Sequence, residues 1–267
     1  MEREVNQRAA DPAIETAGNQ GATEHRLAKP AILDVIEIFK ILGKRSVLNG
    51  LSLSICEGEI LGLFGPDGAG KTVALQCILG LMKADRGQII LQGQDVTRLP
   101  FYRRALLGMG FLPQEPSIFR GLTVAQNIMT MVESVEPDPR LRAERLDGLL
   151  ADLGIAHLRD TRATALSGGE RRRCEIARSL AAEPVIMLLD EPFAGIDPLT
   201  IESIEHLILA MKRRGIAVLM TDQNVDVMME LIDRACVIDE GVPIFEGSPQ
   251  EMLQNPIVIE HYLGSED

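Results

Sequence analysis

The chain is poor in the residues that build aromatic platforms and imidazole sites. Its 267 residues include no Trp, two Tyr and four His. The histidines, His25, His157, His206 and His261, are scattered without metal-ligand spacing, which argues against a zinc centre. The four cysteines, Cys56, Cys77, Cys174 and Cys236, form no C-x-x-C pair and sit in apolar or helical contexts. They read as buried free thiols rather than disulfides. A basic excess is missing too: the formal net charge is −12, which argues against a nucleic-acid partner because phosphate binding needs a basic face. No apolar run approaches the ~18 residues of a membrane span, and the N-terminus lacks the apolar core of a secretory signal. Residues 1–28 are polar, of mixed charge and short of large apolar side chains, so they are expected to form a disordered arm or an extension left by cloning.

What the sequence does contain is a regular alternation from about residue 29 to 264. Ala31 to Phe39 and Ser52 to Ile55 alternate apolar positions and predict antiparallel strands. Ile60 to Phe64, Val185 to Leu189, Ile216 to Thr221 and Ala235 to Ile238 are short continuous apolar runs, the pattern of strands buried on both faces. Helical periodicity marks Lys71 to Leu81, Val124 to Val132, Leu141 to Leu153, Glu170 to Ala181 and Leu199 to Arg213. The expected fold is α/β: a mainly parallel sheet with an antiparallel β part over 29–99 and 183–247, an inserted, mostly helical lobe over 100–182, and C-terminal helices over 248–264.

Two motifs carry chemistry. Gly65-Pro66-Asp67-Gly68-Ala69-Gly70-Lys71-Thr72 fits G-x-x-x-x-G-K-[ST], with a predicted strand before it and a predicted helix after it. The glycines let successive N–H groups turn inward as an anion nest at a helix N-terminus. Lys71 then reaches the β- and γ-phosphates, and Thr72 offers its hydroxyl to Mg²⁺. A chance Gly-rich turn is the plain alternative, and the flanking strand and helix weigh against it. Asp67 is out of place unless it points outward. The second motif is the pair Asp190-Glu191 at the end of an apolar strand, suited to holding Mg²⁺ and orienting an attacking water. Taken alone it is equally a solvated turn.

A third stretch, Leu166-Ser167-Gly168-Gly169-Glu170, opens a strong helix, with Ser167 placed to cap it. The order phosphate loop, Gln114 in FLPQ, LSGGE, LLDEP and Ala194-Gly195-Ile196-Asp197 resembles the nucleotide-binding subunits of ABC transporters over about residues 31 to 263. The resemblance implies a P-loop core of the ABC ATPase type and ATP with Mg²⁺ as ligands. It further implies a homodimer in which each ATP lies between one copy's phosphate loop and the other's Ser167, Gly168, Gly169 and Glu170. Glu191 is implied as the catalytic glutamate, Gln114 as the lobe-linking residue near Mg²⁺, and Asp197 as part of a loop crossing the dimer interface.

Within that group, LSGGERRRCEIARSLA, FLPQEPSIFRGLTVAQNIM and DEPFAGIDP resemble the ATPases of bacterial lipopolysaccharide-export systems. This implies a chain on the cytoplasmic face of the inner membrane, beside integral permease subunits whose coupling helices dock near Phe119 and Arg120. Phe119 reads equally as core, and the run Arg171, Arg172, Arg173 reads equally as an exposed basic face. Branched-chain amino-acid importers share the layout and are the first rival. A catalytically weak nucleotide-binding paralogue is another, and an ATPase acting on ribosomes or DNA fits poorly with one cassette and an acidic pI.

Two departures from the family pattern stand out. The aromatic expected to stack on adenine falls on Leu42, with Phe39 the nearest aromatic and more suited to strand core. The expected switch histidine is Gln223 in Met220-Thr221-Asp222-Gln223-Asn224-Val225. An amide donates a hydrogen bond but neither charges nor relays a proton, so the expectation is slower hydrolysis with binding retained.

Overall fold

The computed structural model describes residues 30–264, so the arm expected over 1–28 lies outside the described residues. Among the described residues ten strands form two sheets. The first is antiparallel and holds β1 (Ala31–Leu42), β2 (Arg45–Cys56), β4 (Arg86–Leu91) and β5 (Gln94–Asp95) in the order β2-β1-β4-β5. The second holds β3 (Ile60–Phe64), β6 (Met109–Leu112), β7 (Ile186–Asp190), β8 (Ala217–Thr221), β9 (Arg234–Asp239) and β10 (Val242–Gly247) in the order β10-β9-β3-β8-β7-β6. Every pairing in the second sheet is parallel except β9 with β10.

The apolar runs explain how this sheet is covered. Every residue of β3, β7 and β8 is buried, because successive side chains enter opposite layers. Leu61, Leu63, Ile186, Leu188, Leu219 and Cys236 point into one core, shared with the antiparallel sheet and with α1 (Lys71–Leu79). Ile60, Phe64, Met187, Leu189, Val218 and Val237 point into the other core. That second core is closed by α3 (Val124–Val135), α4 (Pro139–Asp152), α5 (Gly168–Leu180), α6 (Pro198–Arg213), α7 (Val225–Leu231) and α8 (Pro249–Gln254). α2 (Phe101–Leu106) links the two sheets in sequence.

The helix α1 stops at Leu79 because Gly80 adopts the left-handed conformation and its N–H bonds back to the Cys77 carbonyl. The carbonyls of Cys77 and Ile78 also accept from Arg104, whose guanidinium is fully buried and bonds the Leu99 and Thr97 carbonyls as well.

Two strands of the second sheet are not singled out by the sequence pattern. The segment 100–182, read as mostly helical, contains β6, which pairs in parallel with β7 at the edge of the main sheet. The helices α3, α4 and α5 follow the loop that carries Gln114. Gly110 lets β6 pack closely, since a Cβ there would lie 2.3 Å from the Met187 sulfur. The strand β10 closes the other edge and includes Pro243, a residue that sheets accept at an edge.

Candidate functional site

The phosphate loop joins β3 to α1 at the C-terminal end of the main sheet. Its glycines are required by space and by backbone angle. A Cβ on Gly65 would sit 2.1 Å from the Ile238 carbonyl, and one on Gly70 2.9 Å from the Val47 carbonyl; both residues have positive φ. Gly70 caps α1 without any side-chain bond, so the first N–H groups of the helix are left open toward the loop, as an anion site needs. Asp67 is exposed, and its charge acts on Lys71.

Lys71 folds across the loop, and its Nζ donates to the carbonyls of Gly65 at 2.6 Å and Pro66 at 3.1 Å. Burial pushes its pKa down, while the negative charges of Asp67, Glu191 and Asp190 push it back up. Those three carboxylates favour the charged ammonium against the effect of burial.

Asp190 ends β7 at 6 % exposure and accepts a hydrogen bond from the Thr221 hydroxyl at 2.9 Å. Burial raises its pKa against the pull of Thr221, Arg172 and Lys71. Glu191 follows in a left-handed conformation, φ 48°, a strained backbone for a residue with a side chain. Its carboxylate is clasped by two amides. Gln114 Nε2 donates to one oxygen at 2.5 Å, and Gln223 Nε2 approaches the other at 3.4 Å. Burial, then Asp222, then Asp190 raise the Glu191 pKa above the ordinary glutamate range.

The Thr72 hydroxyl, the Asp190 carboxylate and the Gln114 amide carbonyl are hard oxygen donors of the kind Mg²⁺ takes. Among the described residues no cluster of three or more His, Cys, Asp or Glu could hold a metal alone. A divalent cation here would share its shell with phosphate oxygens and water, which suits a nucleotide site. Burial disfavours the thiolate at Cys77, Cys174 and Cys236, pushing these free thiols up to about 11, about 12 and about 12.

The residues expected from the sequence divide into two groups. Gly65 to Thr72, Asp190, Glu191, Gln114 and Gln223 converge on one place. Leu42 lies at its rim: it pairs in register with Arg45, whose guanidinium donates to the Gly68 carbonyl at 3.3 Å. Phe39 is committed elsewhere, lying over Gly50 in the antiparallel sheet. The second group is the start of α5. Ser167 accepts from the Glu170 N–H while the Glu170 carboxylate accepts from the Ser167 N–H, a reciprocal cap. A Cβ on Gly169 would lie 2.6 Å from Thr200, which in turn bonds Asp197 at the start of α6. The stretch 167–170 therefore packs on the turn that begins at Asp197, not on the phosphate loop of its own chain.

The arginine run is not an exposed basic face. Arg172 is 7 % exposed, donates to the carbonyls of Pro113 at 2.7 Å and Glu191 at 3.3 Å, and pairs with Glu175. It ties α5 to the residue before Gln114 and to the catalytic candidate itself. Arg178 donates to Ser117 and lies over the ring of Phe119, a residue 51 % exposed. The Arg172, Glu175, Arg178 spacing of three was the sequence signal for this buried stripe. Arg120 lines a groove of about 180 Å³ with Pro116, Ile118, Leu166 and Arg171. Among the described residues no helix is long and apolar enough to cross a membrane.

Comparison with known proteins agrees with this geometry. Residues 48–194 match the ABC transporter family, and residues 242–267 match the branched-chain amino acid ATP-binding cassette transporter family. A probable ABC transporter ATP-binding protein of Azorhizobium caulinodans is 48 % identical, with 99 % of this chain and 96 % of that protein aligned. The lipopolysaccharide export system ATP-binding protein LptB of Acidithiobacillus ferridurans is 45 % identical, with 88 % of this chain and 98 % of that protein aligned. The crystal structure of the ADP conformation of MJ1267, an ATP-binding cassette of an ABC transporter, superposes with a TM-score of 0.79 at 28 % identity, covering 88 % of this chain and all of that one. With its phosphate loop, acidic pair and signature helix set in this fold, the chain belongs to the ABC transporter family as an ATP-hydrolysing, nucleotide-binding subunit.

Proposed function

We propose that this subunit powers lipopolysaccharide export from the inner membrane. The observation that carries the reading is the 45 % identity, over 98 % of its length, to a protein named for that system. In this reading the chain sits on the cytoplasmic face beside integral permease subunits. Their coupling helices dock at the exposed Phe119 ring and at Arg120 beside it.

The mechanism follows from the site. The N–H groups of Gly68 to Thr72 and the Lys71 ammonium bind the ATP phosphates. Thr72, Asp190 and the Gln114 carbonyl would hold Mg²⁺, which would supply neutralisation of phosphate charge. Glu191, held by strained backbone and two amides, orients the attacking water and takes its proton. Gln223 donates from its amide where the family pattern has an imidazole, so it steers without relaying a proton. Ser167, Gly168, Gly169 and Glu170 complete the site of a second copy. Their packing on the Asp197 turn of their own chain supports this, because their contacts among the described residues are with that turn and not with the chain's own phosphate loop.

A second reading has its own support: the match of residues 242–267 favours an importer of the branched-chain amino-acid type. Reconstitution separates the two. ATP turnover should rise several-fold with a lipopolysaccharide-export permease pair and stay at the basal rate with an amino-acid importer permease. The reverse pattern would overturn the export reading.

A further inference from the structure

The rim of the nucleotide site lacks its aromatic platform, yet a flat side chain stands there. Leu42 and Arg45 are the last register pair of the hairpin between β1 and β2, closed by Gly43 at φ 62° and Lys44. Directly opposed residues of an antiparallel pair project from the same face. That face meets the phosphate loop, because the Arg45 guanidinium donates to the Gly68 carbonyl at 3.3 Å. Leu42, 40 % exposed, is the apolar neighbour on the same side.

The hairpin is fixed against the loop by a third element. The turn after β9 is threaded between them: Gly241 donates to the Ala69 carbonyl, Asn49 donates to the Gly241 carbonyl, and the Asn49 amide donates to the Glu240 carbonyl. The contacts are close enough that a Cβ on Gly241 would meet the Val47 carbonyl at 2.1 Å. Arg45, two residues before Val47, is therefore held at a set distance from the nest. Among the described residues it has no carboxylate partner, and its contact uses only one terminal nitrogen. In an anion nest the N–H groups converge on the phosphates while the carbonyls face outward. Arg45 and Gly68 are both exposed, so this guanidinium lies on the solvent side of the loop rather than inside the nest.

We propose that Arg45 is a nucleotide-binding residue of this chain: its guanidinium plane stacks on the base of ATP, against Leu42, in place of the missing aromatic. A guanidinium is planar, weakly hydrated and stacks on π faces, whereas a lysine ammonium does not. The proposal deepens the ATP-binding role of the same site and adds a residue to it.

The test is titration calorimetry on the full chain with Mg-ATP and with Mg-tripolyphosphate, which has phosphates but no base. Arg45→Met should weaken ATP binding about tenfold, the scale of one lost base stack. Arg45→Lys should weaken it nearly as much, and both variants should bind tripolyphosphate like the parent. Adding Leu42→Tyr to Arg45→Met should restore ATP affinity by returning a π face. An unchanged ATP affinity in Arg45→Met, a full rescue by lysine, or an equal loss for tripolyphosphate would each overturn the stacking role. Failure of the parent chain to bind ATP would count against the whole site instead, so the two outcomes are distinguishable.

Discussion

Glu191 concentrates the chemistry of this protein in one side chain, and its surroundings decide how it titrates. Burial and the neighbouring Asp222 and Asp190 charges hold its pKa above the ordinary glutamate range. Glu191 must be ionised to accept a proton, so the acidic limb of the ATPase pH profile should lie above that of a free glutamate. Asp222→Asn removes one like charge and lowers the Glu191 pKa, so the limb should move to lower pH. An unmoved limb would mean another group sets it. Asp222 also accepts from the N–H groups of Phe193 and Asn224, so that variant is read by the shift in pH and not by turnover alone. Gln223→His should raise turnover and add an imidazole-dependent limb between about pH 5 and 8. Equal rates for the two forms would mean that the amide already does all that the position requires.

At the scale of elements, α5 is the joint of the molecule. Its N-terminus carries the signature, its second turn carries Arg172, and its third presents Arg178 to the loop that holds Phe119. Arg172→Met would strip bonds from the Pro113 and Glu191 carbonyls and remove the ion-pair partner of Glu175, which keeps the Ser117 N–H bond and the nearby Arg178 charge. Breaking such a buried pair costs about 3–5 kcal/mol, measurable by chemical denaturation. A loss under about 1 kcal/mol would show that the pair is solvated. Gly169→Ala places a methyl 2.6 Å from Thr200 and should destabilise by about 1–3 kcal/mol through overpacking, with Thr200→Ala relieving most of it. No relief would place the strain elsewhere.

Legibility also varied by element. The strands β3, β7 and β8 were plain because both faces are buried and the apolar runs are unbroken. The strand β6 is only four residues with a glycine inside, and β10 has a proline and ends in glycine, so neither shows a strand period. The phosphate loop was legible because its chemistry is local. The clasp of Gln114 and Gln223 on Glu191 was not, since it joins residues 77 and 32 positions apart. The buried arginine was hidden in a run of three, where only the spacing to Glu175 and Arg178 distinguishes it.

The whole molecule holds the two halves of its ATP chemistry in two separate clusters of contacts. Lys71 and Glu191 lie together, while Ser167 and Gly169 are packed against the turn at Asp197, beside Leu199 at 80 % exposure. A large apolar side chain so exposed next to that turn fits a face that a second copy covers. One measurement tests this most directly: ATP turnover by a mixture of Lys71→Ala and Ser167→Arg chains. Each variant alone spoils every site of a homodimer, one through the phosphate loop and the other through the signature. A mixed dimer regains one site with an intact Lys71 and an intact Ser167 from the other copy. Both variants alone should be inactive and the mixture should turn over ATP. Full activity of either variant alone, or a mixture as inactive as its components, would contradict a site built from two copies.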